Sequence, residues 1–128
     1  EVGAENFFLF GLTVDEVMAR KTEGYQPNYY YRNNENLRKT IDQISGGFFS
    51  GGDAGIFKPL TDHLLWQDEY MVMADFQSYC DAQEKLGKVY LDKEHWTQMS
   101  ILNVARSGKF SSDRSIADYA RDVWNYDL

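Results

Sequence analysis

The chain has 128 residues, room for one domain and too few for two of ordinary size. It is 43% hydrophobic and 26% charged with mean hydropathy -0.55, the make-up of a soluble globular chain and not of a disordered one. Its 13 Lys and Arg against 20 Asp and Glu leave a net charge of -7, which repels phosphate backbones and anionic lipid and argues against nucleic-acid or membrane-surface binding. No apolar run approaches the roughly 20 residues that a membrane-spanning helix needs.

The opening Glu1-Val2-Gly3 carries neither an initiator Met nor a charged-then-apolar leader. Phe7-Phe8-Leu9-Phe10, closed by Gly11, is a short unbroken apolar run and predicts a strand buried on both faces. Such a strand needs neighbours, and the rest of the chain offers almost none. The expectation is therefore a piece cut from a larger protein.

From Thr13 the pattern is helical. Thr13-Val14-Asp15-Glu16 has the form of a capping box, Val14, Val17 and Met18 share a face, and Gly24 is a stop. Gln26-Pro27-Asn28 reads as a break. The polar run Asn33 to Asn36 introduces a second helix with Leu37, Ile41 and Ile44, ended by Ser45-Gly46-Gly47. After a loop at Phe48 to Asp53, a third helix carries Ile56, Phe57, Leu60, Leu64 and Leu65, with Pro59 in its first turn. Tyr70 to Ala74 is a candidate second extended stretch. Asp75, Asp92 and Ser111 or Ser112 are expected to cap three further helices. The fold class so predicted is mainly α, about six helices with one or two short strands, in a single unit over 1–128. Trp96 and Trp124 fall on apolar helical faces and are expected to be buried.

Candidate chemistry is sparse. His63 and His95 lie far apart and outside any metal-ligand spacing. Cys80, the single cysteine, excludes an internal disulfide, fits a reducing compartment, and falls on the apolar face of its helix. Ser45 to Gly52 lacks the Gly-Lys-Ser/Thr ending of a phosphate cradle, and a turn between helices explains its glycines. Tyr29-Tyr30-Tyr31 with Tyr25 could stack on sugar rings or on a partner protein, although tyrosines at helical spacing more often pack their rings and leave hydroxyls wet. No carboxylate pair stands out as an acid/base couple. The residues by themselves show no active site.

Two stretches, Glu1 to Gly11 and Gly108-Lys109-Phe110-Ser111-Ser112-Asp113-Arg114-Ser115-Ile116, closely resemble segments of the glycogen, starch and maltodextrin phosphorylases. Between them Ala74-Asp75-Phe76 with Tyr79, and Trp96 with Asn103 and Ala105, fall in the family's order, as do Tyr119-Ala120 and Trp124 at the end. The likeness runs along essentially the whole chain. It implies the C-terminal end of the second Rossmann-like domain of a two-domain (GT-B-type) enzyme, cytoplasmic, with pyridoxal phosphate as cofactor and inorganic phosphate and an α-1,4-glucan as substrates. In the family the cofactor lysine precedes the Glu-Val-Gly segment, and none of Lys21, Lys39, Lys58, Lys85, Lys88, Lys93 or Lys109 matches it. The resemblance thus carries no catalytic, cofactor-binding or metal residue onto this chain. Its implied partner is the rest of the parent enzyme, with self-association through the Phe7 to Phe10 strand as a further expectation. The competing reading is a free-standing helical module that binds a protein or a glucan through its aromatic faces.

Overall fold

The computed structural model describes residues 1–126. It contains seven α-helices: α1 Val14–Glu23, α2 Pro27–Asn33, α3 Glu35–Ser45, α4 Lys58–Trp66, α5 Val72–Leu91, α6 Lys93–Ala105 and α7 Ser112–Asp122. Short 3-10 turns occupy Ala4–Asn6 and Ser107–Phe110. No β-strand occurs among the described residues, and none of their helices is long and apolar enough to cross a membrane. The chain divides into two compact units, Phe10–Asp81 and Glu1–Leu9 with Ala82–Leu128.

In the unit Phe10–Asp81, α1 starts as expected. The Thr13 hydroxyl accepts the Glu16 N–H while the Glu16 carboxylate accepts the Thr13 N–H at 2.7 Å, and Gly24 ends the helix in the left-handed region at φ 88°. The break expected at Pro27 is instead the start of an additional helix. Proline at the first position of α2 lacks only an N–H that the helix does not use, so the residue read as a break begins a helix. Asn34 then ends α2 and caps α3, accepting the Leu37 N–H at 3.0 Å. Leu37 and Ile41 from α3 and Met73 from α5 form the buried core, with Tyr30, Tyr31, Leu64, Leu65 and Phe76 packed around it. Full burial of such side chains stabilises by roughly 1.5–3 kcal/mol each. Between α3 and α4 the chain turns at Gly47, φ 82°, where a Cβ would meet the Gly52 carbonyl carbon at 2.8 Å. Only glycine fits there.

The second extended stretch is absent. Val72, Met73 and Ala74 lie in α5, which begins three residues before the predicted Asp75 cap. The cap is Asp68, whose backbone at φ 39°, with Met71 at φ 58°, folds its carboxylate back over the helix start. It accepts the N–H groups of Val72 and Met73, both at 2.9 Å. Asp75, freed of that duty, accepts the Leu12 N–H at 2.8 Å, and Ser78 Oγ accepts the Gly11 N–H at 3.0 Å. These two side chains tie down the segment leading into α1.

In the other unit the N-terminal segment lies on α6. Buried Asn6 donates to the Val2 carbonyl at 2.8 Å, Asn103 donates to the Asn6 carbonyl, and Arg106 donates to the Val2 carbonyl at 3.1 Å. Phe8 stacks on Trp96 with ring centroids 6.3 Å apart, and Tyr90 meets Trp96 edge-on at 5.1 Å. Phe7 to Phe10 do not form the predicted strand. The backbone is extended at Phe7, φ -150° and ψ 169°, but no strand among the described residues pairs with it. A ladder needs a partner. The burial expected of this run also fails, for Phe7 and Phe10 are more than two-fifths exposed and Leu9 more exposed still. Asp92 caps α6 and Ser111 caps α7, accepting the N–H groups of His95 and Arg114. Trp96 is half-buried, whereas Trp124, expected in a core, is 66% exposed. It lies just past the C-terminal end of α7, with the Tyr119 ring 6.3 Å away.

Candidate functional site

Two concave surfaces lie in the unit Phe10–Asp81. One cleft, of about 270 Å³, is lined by Arg20, Glu23, Tyr25, Gln26, Tyr29 and Tyr30 at the joint between α1 and α2. The other, of about 340 Å³, is lined by Gln26, Asn28, Tyr29, Arg32 and Asn33 from α2 and its approach, and by Trp66 at the end of α4. Gln26 and Tyr29 belong to both, so the start of α2 carries two recesses.

The tyrosines expected to pack their rings do so. Tyr30 contacts Tyr25 at 5.7 Å and Tyr29, edge-on, at 5.5 Å. Two of their hydroxyls donate to carboxylates, one at the surface and one, contrary to expectation, to a buried group. The Tyr31 hydroxyl donates to Asp42 at 2.7 Å, and the Tyr25 hydroxyl donates to the buried Asp68 at 2.6 Å. Burial, followed by that hydrogen bond to a carboxylate, pushes the Tyr25 phenol well above its ordinary range. Asp68 thus holds three donors at once: a phenol and two backbone N–H groups. A buried carboxylate is tolerable when its oxygens are so occupied. Asp68 was not legible as special in the sequence, because its partners are set by a left-handed turn and by a tyrosine 43 residues away.

The remaining candidates stay apart. His63 is half-buried on α4 and His95 exposed at the start of α6. Cys80 is half-buried on α5. Among the described residues no three His, Cys, Asp or Glu side chains come together in a way that would hold a metal ion. The glycines of Ser45 to Gly52 serve the turn after α3, where the Phe48 N–H donates to the Gln43 carbonyl at 3.1 Å.

The donor set also bears on pyridoxal phosphate. Covalent attachment of that group needs a lysine amine kept uncharged, which a protein achieves by withdrawing it from water. All seven lysines here are exposed. Lys39, Lys58 and Lys109 are further engaged in ion pairs, with Glu35 at 2.8 Å, Asp62 at 2.6 Å and Glu1 at 2.6 Å. None lines either cleft. The residues present do not fit the group.

A family model described as carbohydrate phosphorylase matches residues 1–126. The chain is 60% identical to the glycogen phosphorylase of Synechocystis sp. over 124 residues, which is 97% of this chain and 15% of that protein. It is 44% identical to the liver form of glycogen phosphorylase from Ovis aries over 125 residues, and 44% identical to the human muscle form over 124. Those matches cover 98% and 97% of this chain, and again 15% of each relative. The chain thus spans about 15% of the length of the relatives it matches. With the match running from Glu1 almost to the last residue, this chain belongs to the carbohydrate phosphorylase family.

Proposed function

We propose that this chain is a structural part of an α-1,4-glucan phosphorylase, the enzyme that transfers a glucosyl unit from the non-reducing end of a glucan to inorganic phosphate and so forms α-glucose 1-phosphate. The observation that carries this reading is the family match over nearly all of the chain, at 60% identity to one glycogen phosphorylase. In the parent, residues 1–128 would form a continuous part of the C-terminal, Rossmann-like domain of a two-domain GT-B architecture, in the cytoplasm. The cofactor there would be pyridoxal phosphate. This segment supplies neither the lysine that holds it nor the groups that act on the reacting bond. It works by packing, because an error of about 1 Å in a catalytic cleft can cost roughly 10²-fold in rate.

The exposed apolar side chains support a partner within the parent. Ile101 and Val104 on α6, Ile116 and Tyr119 on α7, and Phe7 and Leu9 in the N-terminal segment are all more than two-fifths exposed. Isolated from the rest, this surface would self-associate. A free-standing module would have little reason to display so much of it.

The test uses the whole protein to which this chain belongs. Incubation with maltoheptaose and inorganic phosphate should release α-glucose 1-phosphate. Borohydride reduction followed by peptide mass spectrometry should place pyridoxal on a lysine outside residues 1–128. A stoichiometric adduct on any of the seven lysines here, or no glucose 1-phosphate from any α-glucan, overturns the reading.

A further inference from the structure

We infer that the cleft between α2 and the end of α4 is a binding site for a neutral α-1,4-glucan, with Tyr29 and Trp66 as stacking surfaces and Asn28 and Arg32 as hydroxyl partners. Two large rings stand in this one recess, Trp66 at 66% and Tyr29 at 61% exposure. A pyranose presents apolar C–H faces to such rings and a rim of hydroxyls to whatever surrounds them. The rim here is made of amides. Asn28 Oδ1 is buried and receives no hydrogen bond from the described residues, so it is an acceptor in want of an O–H donor. Unpaired buried acceptors are uncommon in native structures and call for a partner. Arg32 is exposed, makes no ion pair among the described residues, and brings several N–H donors to the lining of the same recess. Asn33 is engaged differently: its amide donates to the Tyr29 carbonyl at 2.8 Å and fixes the turn that carries that ring.

The size of the cleft, about 340 Å³, is at the lower end of the roughly 300–1,000 Å³ of small-molecule sites. Its charge decides against an anion. Arg32 is the single ionised group among the six lining residues, in a chain of net charge -7, and recognition of phosphate draws on several convergent cations or N–H groups. A neutral, hydroxyl-rich ring matches better. The choice of an α-1,4-linked glucan among sugars rests on the phosphorylase reading above; the stacking and amide chemistry does not.

The experiment labels the whole protein with 5-fluorotryptophan and identifies the Trp66 resonance by its loss in Trp66→Phe. Titration with maltoheptaose should move that resonance in a saturable way, and inorganic phosphate should not. Tyr29→Ala should weaken the maltoheptaose affinity read from it roughly tenfold, equivalent to about 1.4 kcal/mol. Asn28→Ala should weaken it as well, with the melting temperature of each variant measured to confirm folding. No movement of the resonance by maltoheptaose overturns the site, as does movement by phosphate without sugar. An equal response to cellohexaose overturns the α-glucan assignment. Glucose 1-phosphate formation is assayed on the same preparation: a protein that makes the product but shows no Trp66 response sinks this inference alone, and one that responds but makes no product sinks the phosphorylase reading alone.

Discussion

The two units bury their side chains to very different degrees. Between Phe10 and Asp81 the apolar residues Leu37, Ile41, Met71 and Met73 are at most 4% exposed, and the buried Thr61 and Asp68 are hydrogen-bonded. In Glu1–Leu9 with Ala82–Leu128, Met99 and Ala120 are the only comparably buried apolar residues among those described, while Ile101, Val104, Phe110, Ile116 and Trp124 are each more than half exposed. Both units have well-capped helices, so helix formation is not the difference. What differs is whether the apolar stripe of each helix meets another within reach. The first unit closes a core around Leu37, Ile41 and Met73, although α1 buries no residue and leaves Val14 and Met18 exposed, and the second leaves α6 and α7 with one buried residue each.

That contrast can be broken by substitution. The largest effect is expected at the closed core: Met73→Ala should lower stability by about 2–5 kcal/mol. Ile101→Ala, although it removes a comparable side chain, should change the stability of this chain by no more than about 0.5 kcal/mol. Urea denaturation of both variants gives the comparison directly. Equal losses at the two positions would mean that α6 has a core of its own in solution and that the contrast is false.

A smaller loss is expected at Asp68. Asp68→Ala strips the start of α5 of its cap and leaves the Tyr25 hydroxyl without its acceptor, for a cost of about 1.5–3 kcal/mol. Its spectroscopic mark is more specific than its stability. With burial and Asp68 raising the Tyr25 phenol, neutral Tyr25 stabilises the fold below the ordinary tyrosine value of about 10, and that contribution is lost as pH rises beyond it. An ultraviolet pH titration should therefore show a tyrosine ionising late in the wild type, and earlier in the variant.

At the exposed start of α1 the effects shrink further. Thr13→Ala should cost about 1 kcal/mol, the usual worth of an N-cap side chain. The other half of the box is sensitive to acid. The Thr13 N–H, and then its hydroxyl, hold the Glu16 carboxyl below its ordinary range. A depressed carboxyl stabilises the fold above the unfolded value of about 4.3 and loses that contribution as pH falls through the folded one. The difference in urea midpoint between wild type and Glu16→Gln should therefore be present at neutral pH and close on acidification. A gap that stays constant to low pH would show that Glu16 acts by something other than its charge.

Much of this was legible because the signals were local. The capping box at Thr13, the stop at Gly24, the caps at Asp92 and Ser111 and the tight turn at Gly47 each depend on a few consecutive residues, and the sequence carried all of them. The spacing of Leu37 and Ile41 likewise named two of the three central core residues. The N-terminal run of four apolar residues was the misleading case, because an unbroken apolar run records that a segment is to be covered without recording by what. Paired into a sheet it would be a strand; laid on α6 through Asn6, Asn103 and the Phe8–Trp96 stack, it is an irregular segment with its remaining rings exposed.

By itself, then, the sequence determined where most helices start and stop, and the family to which they belong, since both are written in contiguous residues. The tertiary structure decided the rest. It moved the start of α5 back to Val72 by folding Asp68 over it, turned the break at Pro27 into the first residue of α2, and placed Trp66 beside Tyr29, which precedes it by 37 residues (66 - 29). It also left Trp124, expected on an apolar helical face, exposed just beyond the end of α7. The physical reason is the same in each case. Capping and turn chemistry are satisfied within one or two turns of chain, whereas burial, cleft formation and the partner of a buried carboxylate depend on which distant side chains arrive at the same place.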